Sequence, residues 1–183
     1  TGFYVDVGAY HPLELNNTFL LHKRGWSGIN IDINTLSINY FNFLRPNDVN
    51  INIAASNKKT IKTIYYQKKK SPLNTLKITQ AKKMFIGNIK KRKVKSETLS
   101  KIIDNTKFKG EKINFLNIDT EGSDLEILKK LNFKKYKPEL ICVELVDSFN
   151  PSSKIIKKNK IYKFLVNKKY KLLWSGHFSH IFK

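Results

Sequence analysis

Three short segments of the sequence are almost continuously apolar, and they constrain the fold more than any other feature. They are Phe3–Val7, Ile113–Ile118 and Leu140–Leu145. A strand with one face in water alternates apolar and polar residues, whereas a strand covered on both faces does not. Because segments with helical spacing of apolar residues lie between these runs, the pattern predicts an α/β domain. Its central sheet should be mostly parallel, with helices on both faces.

The remaining segments complete this pattern. The predicted strands are Ser27–Asp32, Val49–Ala55, Thr60–Tyr66, Tyr170–Trp174 and His180–Phe182. The predicted helices are Asn17–Lys23, Leu36–Leu44, Glu97–Asn105, Asp124–Leu131 and one from Ser152 or Ser153 to Asn167. The last two strands flank a turn at Gly176, which predicts an antiparallel hairpin at one edge. Ser123 followed by Glu126 predicts a capping box at the start of the Asp124–Leu131 helix.

One segment, residues 67–95, departs from the regular alternation. It contains Lys68-Lys69-Lys70 and the basic run Lys90–Lys93, with a short helix predicted near Thr79–Phe85. It has too few apolar residues to form a core of its own. The 183 residues are enough for one domain. We therefore expect a single domain over 1–183, with 67–95 as an insertion or lid.

The formal net charge is +21, from 35 basic and 14 acidic residues. Such an excess is typical of proteins that bind nucleic acid or anionic membranes. Only three of the basic residues are arginines, however. Arginine forms paired hydrogen bonds with phosphates and bases that lysine does not. Lysine, isoleucine and asparagine are abundant together, as AT-rich coding bias also produces, so both explanations stay open.

Several sequence features bear on location. No apolar run approaches the roughly 20 residues that span a bilayer, so no transmembrane segment is expected. No signal peptide is recognisable. Cys142 is the only cysteine, which excludes an intramolecular disulfide and a cysteine zinc site. A reducing compartment fits this usage, and we expect a cytoplasmic protein.

Carboxylates stand at the ends of four predicted strands, at Asp6, Asp32, Asp119 and Glu144. In open α/β sheets, ligands bind at this edge. Carboxylates suit a ligand with hydroxyls, amines or positive charge, and the phosphate-binding glycine loop is absent from the sequence. Asp32 lies 24 residues after Gly8, near the offset at which nucleotide-binding folds place an acid on ribose hydroxyls. A ribose with a positive centre and no phosphate describes S-adenosylmethionine better than NAD.

Two motifs resemble those of the FkbM-type methyltransferases. The first is FYVDVGAYHP at residues 3–12, followed by KRGWSGINID at 23–32. The second is IDTEGSDLEIL at 118–128, and Leu140–Glu144 is similar to the family's fifth strand. The resemblance covers nearly the whole chain. It implies a class I methyltransferase fold, which is a Rossmann-like three-layer sandwich with a seven-stranded sheet, and S-adenosylmethionine as cofactor.

The resemblance also implies roles for single residues. The methionine part of the cofactor would lie on Asp6, Gly8 and Ala9, the ribose on Asp32, the adenine near Ala54, Ala55 and Ser56, and the methyl donor before Asp119. Glu121, Asp119 and His11 are the candidates for a general base, since a base assists methylation of an alcohol. Glu121, Glu144 and Asn74 are the candidates for binding the acceptor. Purely structural roles for Glu121, Glu144 and His11 stay open.

Three functions are compatible with the sequence. The first is O-methylation of a hydroxyl on a sugar or another small metabolite, as the resemblance implies. The second is methylation of nucleic acid, in which the lysine-rich insertion would bind the nucleic acid. The third is a basic binding module without catalysis. A metal is not expected, because no ligand spacing demands one, although Asp119, Glu121 and Glu144 make Mg²⁺ conceivable. We favour the first function.

Overall fold

The computed structural model describes residues 1–68, 71, 73–145 and 152–183. Its strands are β1 (Phe3–Val7), β2 (Ser27–Asp32), β3 (Val49–Asn52), β4 (Ala54–Ser56), β5 (Thr60–Tyr66), β6 (Lys90–Thr98), β7 (Phe115–Ile118), β8 (Leu140–Glu144), β9 (Leu172–Ser175) and β10 (Ser179–Phe182). Its helices are α1 (Phe19–Lys23), α2 (Thr35–Leu44), α3 (Ile78–Met84), α4 (Leu99–Asp104), α5 (Asp124–Lys130), α6 (Ser153–Lys158) and α7 (Lys160–Asn167).

The main sheet has seven strands in the order β3-β2-β1-β7-β8-β10-β9. Neighbouring strands are parallel from β3 to β8, and β10 runs antiparallel to both β8 and β9. The predicted mostly parallel seven-stranded sheet with a final antiparallel pair is thereby confirmed. Strand order reverses between β1 and β7, which is where an open α/β sheet holds its ligand.

The central strands are buried on both faces, as their apolar sequences predict. Val5, Val7 and Leu116 pack on one side with residues of α4, α5 and α7. Tyr4 packs on the other side with Leu21 of α1. This two-sided burial explains why these strands lack the alternation of a half-exposed sheet.

A second sheet, in the order β4-β6-β5, lies outside the main one. The predicted strand Val49–Ala55 divides at Ile53, so that β3 joins the main sheet and β4 pairs with β6. The expectation of an irregular insertion is wrong for Lys90–Lys95, which forms most of β6 and pairs antiparallel with β5. Alternate side chains of β6 turn inward: Val94 and Ser96 are buried and Arg92 is half-buried, whereas Lys91, Lys93 and Lys95 stay exposed.

Two predicted helix ends also differ. The capping box at Ser123 does not form, because Ser123 has helical backbone angles and its side chain makes no capping hydrogen bond. The predicted helix ending at Asn167 is two helices, since Asn159 is extended and its side chain accepts from the Ile161 N–H at 2.7 Å to start α7.

In the part of the chain that the structure describes, no helix combines the length and apolarity needed to cross a membrane. Cytoplasmic location stays a prediction.

Candidate active site

A cavity opens at the carboxyl ends of β1, β2 and β7, and we call it the inner cavity. Five of the eight residues expected to contact the cofactor line it: Gly8, Asp32, Ala54, Ala55 and Asp119. Its other walls are mainly apolar and include Ile31, Ile33, Ile53 and Leu76. Five of the thirteen residues that line this cavity were thus among those expected to contact the cofactor, and their contact with a cofactor stays a prediction.

Gly8 lets the end of β1 lie against the end of β7. Its φ is +81°, a backbone conformation that L side chains rarely adopt. A Cβ at this position would lie 1.7 Å from the carbonyl oxygen of Asp119. The Gly8 N–H donates to the Ile31 carbonyl at 2.9 Å. Only glycine satisfies both the angle and the close approach, so this residue fixes how the two strand ends meet.

Asp32 is 8% exposed and holds two turns together. Its carboxylate accepts from the Tyr10 N–H at 2.9 Å and from the Asn34 N–H at 2.5 Å. Burial raises the pKa of Asp32 to about 6, against the lowering effect of these two hydrogen bonds. A carboxylate offers about four acceptor positions. Asp32 can therefore accept from ligand hydroxyls as well, as a ribose requires.

Asp119 directly follows β7 and lies where the inner cavity meets a second cavity. Burial, together with the nearby carboxylates of Asp124, Asp6 and Asp32, raises the pKa of Asp119 to about 6. The Asp119 N–H donates to the Val7 carbonyl at 2.9 Å, which ties it to β1. A carboxylate with a pKa closer to neutral is a stronger proton acceptor than an ordinary aspartate.

A second cavity, which we call the outer cleft, shares Gly8 and Asp119 with the inner cavity. Its remaining lining residues are Tyr10, Leu15, Asn16, Asn17, Glu121, Glu144, Phe178 and Ser179. It thus holds three carboxylates, and no lysine or arginine is among the described residues that line it. In a chain of net charge +21, this cleft is locally acidic.

Strained backbone is concentrated in the outer cleft. Tyr10, Leu15 and Glu121 have φ values of 51°, 48° and 51°, and Lys169 is the only other non-glycine residue with positive φ in the described ranges. Such conformations cost about 1–3 kcal/mol each and cluster at functional sites. The Thr75 hydroxyl donates to the Glu121 carbonyl at 2.9 Å, which helps to hold this turn. The strain supports a binding role for the cleft.

Comparison with known proteins identifies the family of the chain and a similar fold. The family model described as the methyltransferase FkbM domain matches residues 6–172. The chain belongs to the FkbM methyltransferase family. The crystal structure of methyltransferase FkbM from Methylobacillus flagellatus KT superposes with a TM-score of 0.55 and 13% identity. The match covers 100% of this chain and 43% of that one, so the chain spans less than half of that protein's length. Among curated proteins, none matches the sequence.

Three residues that the FkbM resemblance assigned to the cofactor do not line the inner cavity. Asp6 is fully buried, and its carboxylate accepts from Thr18 Oγ1 at 2.8 Å, Asn117 Nδ2 at 2.8 Å and Asn16 Nδ2 at 3.0 Å. Ala9 is buried behind the turn, and Ser56 pairs with Thr98 in the second sheet. These hydrogen bonds join Asp6 to the loop after β1 and to β7, and its role toward a cofactor stays a prediction.

His11 and Asn74 also differ from their expected places. Nδ1 of His11 accepts from the backbone N–H groups of Leu13 and Glu14 at 3.3 and 3.1 Å. His11 lines neither cavity. The contacts favour a structural role for it in the loop after β1. Asn74, expected to bind the acceptor, lies in the inner cavity instead of the outer cleft. Glu121 and Glu144 do lie together in the cleft.

Arg45 is a residue that the sequence interpretation missed. It is 1% exposed, and its guanidinium donates to Thr18 Oγ1 and Asn16 Oδ1, each at 2.9 Å, and to the Pro12 carbonyl. Arg45 therefore joins the end of α2 to the loop that follows β1. Its one sequence signal is scarcity, as one of three arginines in a lysine-rich chain.

Within the ranges the structure covers, no cluster of three or more His, Cys, Asp or Glu residues is placed to hold a metal ion.

Proposed function

We propose that this chain is an S-adenosylmethionine-dependent methyltransferase acting on a hydroxyl of a sugar or another small metabolite. The observation that supports it best is the pair of cavities that meet at Gly8 and Asp119. Methyl transfer needs a donor and an acceptor held against each other, and most of the rate enhancement comes from that alignment. Two adjoining cavities at the ligand-binding edge of the sheet suit this requirement.

The inner cavity suits the cofactor. Asp32 offers acceptor positions for ribose hydroxyls, and no basic residue is among its described lining residues to bind a pyrophosphate. Asp119 brings negative charge to the boundary with the outer cleft, where a positive centre is favoured. When bound, S-adenosylmethionine supplies a methyl group that is already activated on a sulfonium. The protein then has to bind and orient the two partners.

The outer cleft suits a neutral acceptor that carries hydroxyl groups. Glu121 and Glu144 accept hydrogen bonds from hydroxyls, and Asn16 and Asn17 bring amide groups to the same cleft. A phosphate or carboxylate on the acceptor would meet like charge, and no cationic side chain is among the described residues that line the cleft. For the same reason the cleft disfavours nucleic acid, whose backbone is anionic.

Two carboxylates are placed to take the proton of the acceptor hydroxyl. Asp119 lines both cavities, and its raised pKa makes it a better proton acceptor than an ordinary aspartate. Glu121 faces the outer cleft alone, on a turn with positive φ. We assign proton acceptance from the acceptor hydroxyl to Glu121 and Asp119 together. Glu121 also binds the acceptor, and Asp119 also stabilises positive charge at the boundary between the cavities.

The test is transfer of labelled methyl from S-adenosylmethionine to methyl glycosides of neutral hexoses, to their 6-phosphates and to an RNA oligonucleotide. We expect transfer to neutral glycosides that exceeds transfer to their 6-phosphates by about tenfold or more. Glu121→Gln should lower the turnover number by about 100-fold while S-adenosylhomocysteine affinity is kept. Glu139→Gln is the matched control, because Glu139 pairs with Lys112 at the opposite edge of the sheet. Transfer to RNA alone would overturn the proposal.

A further inference from the structure

Asn74 carries a buried acceptor atom that the fold itself does not use. Its Nδ2 donates to the Ser71 carbonyl at 3.1 Å, which fixes the orientation of the amide. Its Oδ1 is buried, and no described residue donates a hydrogen bond to it. Buried polar atoms in native proteins nearly always have a partner, which can be a ligand. This oxygen therefore points to a bound group with an N–H or O–H.

The position of Asn74 is held firmly. The Leu73 N–H donates to Ser71 Oγ at 3.1 Å on one side. On the other side, the backbone of Thr75 pairs with that of Tyr65 at 2.8 and 3.2 Å. The Thr75 side chain reaches Glu121, so the segment is joined to the candidate active site. Because the neighbours on both sides are fixed, the Asn74 amide forms a preorganised acceptor.

The surroundings indicate the kind of donor. Asn74 lines the inner cavity together with Ile33, Ile53 and Leu76, and the Asp32 carboxylate lies in the same cavity. Apolar walls accommodate a flat ring, and the unpaired Asn74 oxygen beside them favours a ring that carries an N–H donor at its edge. An amine on an aromatic heterocycle meets both conditions, whereas a carbonyl at the same position would oppose Oδ1.

We propose that Asn74 Oδ1 accepts a hydrogen bond from the exocyclic amine of the cofactor's adenine and selects adenine over hypoxanthine. This inference rests on the proposed function, since it assumes that the inner cavity binds S-adenosylmethionine. Asn74 is then a specificity-determining residue contributed by the segment between β5 and α3. It serves the cofactor rather than the acceptor.

Calorimetric titration with S-adenosylhomocysteine and with S-inosylhomocysteine tests the inference. The second ligand differs in having a carbonyl where adenine has its amine. We expect the unmodified chain to prefer S-adenosylhomocysteine by about tenfold or more, because loss of the donor leaves the buried oxygen unpaired. In Asn74→Ala the preference should shrink to about threefold or less. Leu73→Ala, at an exposed neighbour, should keep the full preference.

The preference is a ratio within one variant, so a general loss of affinity or stability cancels. Equal binding of the two ligands by the unmodified chain would overturn the inference and leave the proposed function standing. A preference that Asn74→Ala retains in full would overturn it as well. Failure of the unmodified chain to bind either ligand would overturn the proposed function itself.

Discussion

Replacing Gly8 with alanine should disrupt the junction between the two cavities. The added Cβ would lie 1.7 Å from the Asp119 carbonyl oxygen, whereas real Cβ contacts essentially never fall below 3.0 Å. The two strand ends must therefore separate by at least the difference, which is 1.3 Å (3.0 minus 1.7). Positive φ costs an alanine about 1–2 kcal/mol, and forced separation of packed groups costs about 1–3 kcal/mol more.

The free energy of unfolding should thus fall by about 2–5 kcal/mol, which corresponds to a decrease in melting temperature of roughly 4–20 °C for a domain of this size. Urea titration and thermal melts measure the loss, and calorimetry with S-adenosylhomocysteine measures the effect on the site. Gly110→Ala is the matched control, because Gly110 has φ +84° but an added Cβ meets nothing within 4 Å. It should show the backbone cost alone. Equal losses in the two variants would refute the steric argument.

Three further predictions concern the buried charged groups Asp32 and Arg45. Because burial raises the pKa of Asp32 to about 6, S-adenosylhomocysteine affinity should fall as the pH is lowered through that value, by up to about tenfold per pH unit. Asp32→Asn should weaken that dependence in calorimetry, and the remainder should come from Asp119, which lines the same cavity and whose pKa is also raised to about 6. Stability should change in the opposite sense: the native carboxyl takes up its proton at higher pH than the unfolded one, so its contribution to the free energy of unfolding rises as pH falls from about 6 towards 4. Arg45→Met should destabilise the fold by about 3–5 kcal/mol in urea titrations, because it leaves buried partners unpaired. The exposed Arg24→Met should change stability little, and similar losses in both would contradict the role of Arg45.

The sequence predicted the main sheet well and the second sheet poorly, for one physical reason. Strands buried on both faces must be apolar throughout, so β1, β7 and β8 are conspicuous. Strand β6 needs only alternate inward residues, and its exposed lysines hide the pattern. A peripheral strand of this kind is recognised only through its partner β5.

The site shows the same division between local and distant information. The sequence predicted that Asp32 and Asp119 lie at the same edge of the sheet, because the carboxyl ends of parallel strands share one edge. The surroundings of a carboxylate depend on residues elsewhere in the chain. Thr18 and Asn117, for example, donate hydrogen bonds to the buried Asp6 carboxylate. The place of Asn74 depends likewise on pairing of its neighbour with β5, which no local motif encodes.

The central claim is that the cavity at Asp32 and Asp119 binds S-adenosylmethionine. Calorimetric titration of the unmodified chain with S-adenosylhomocysteine, beside Asp32→Ala, tests it most directly. Asp104→Ala is the control, because Asp104 pairs with Lys135 outside both cavities. We predict binding by the unmodified chain and by Asp104→Ala, and affinity lower by about tenfold or more in Asp32→Ala. No binding by the unmodified chain, or equal binding by all three proteins, would contradict the account.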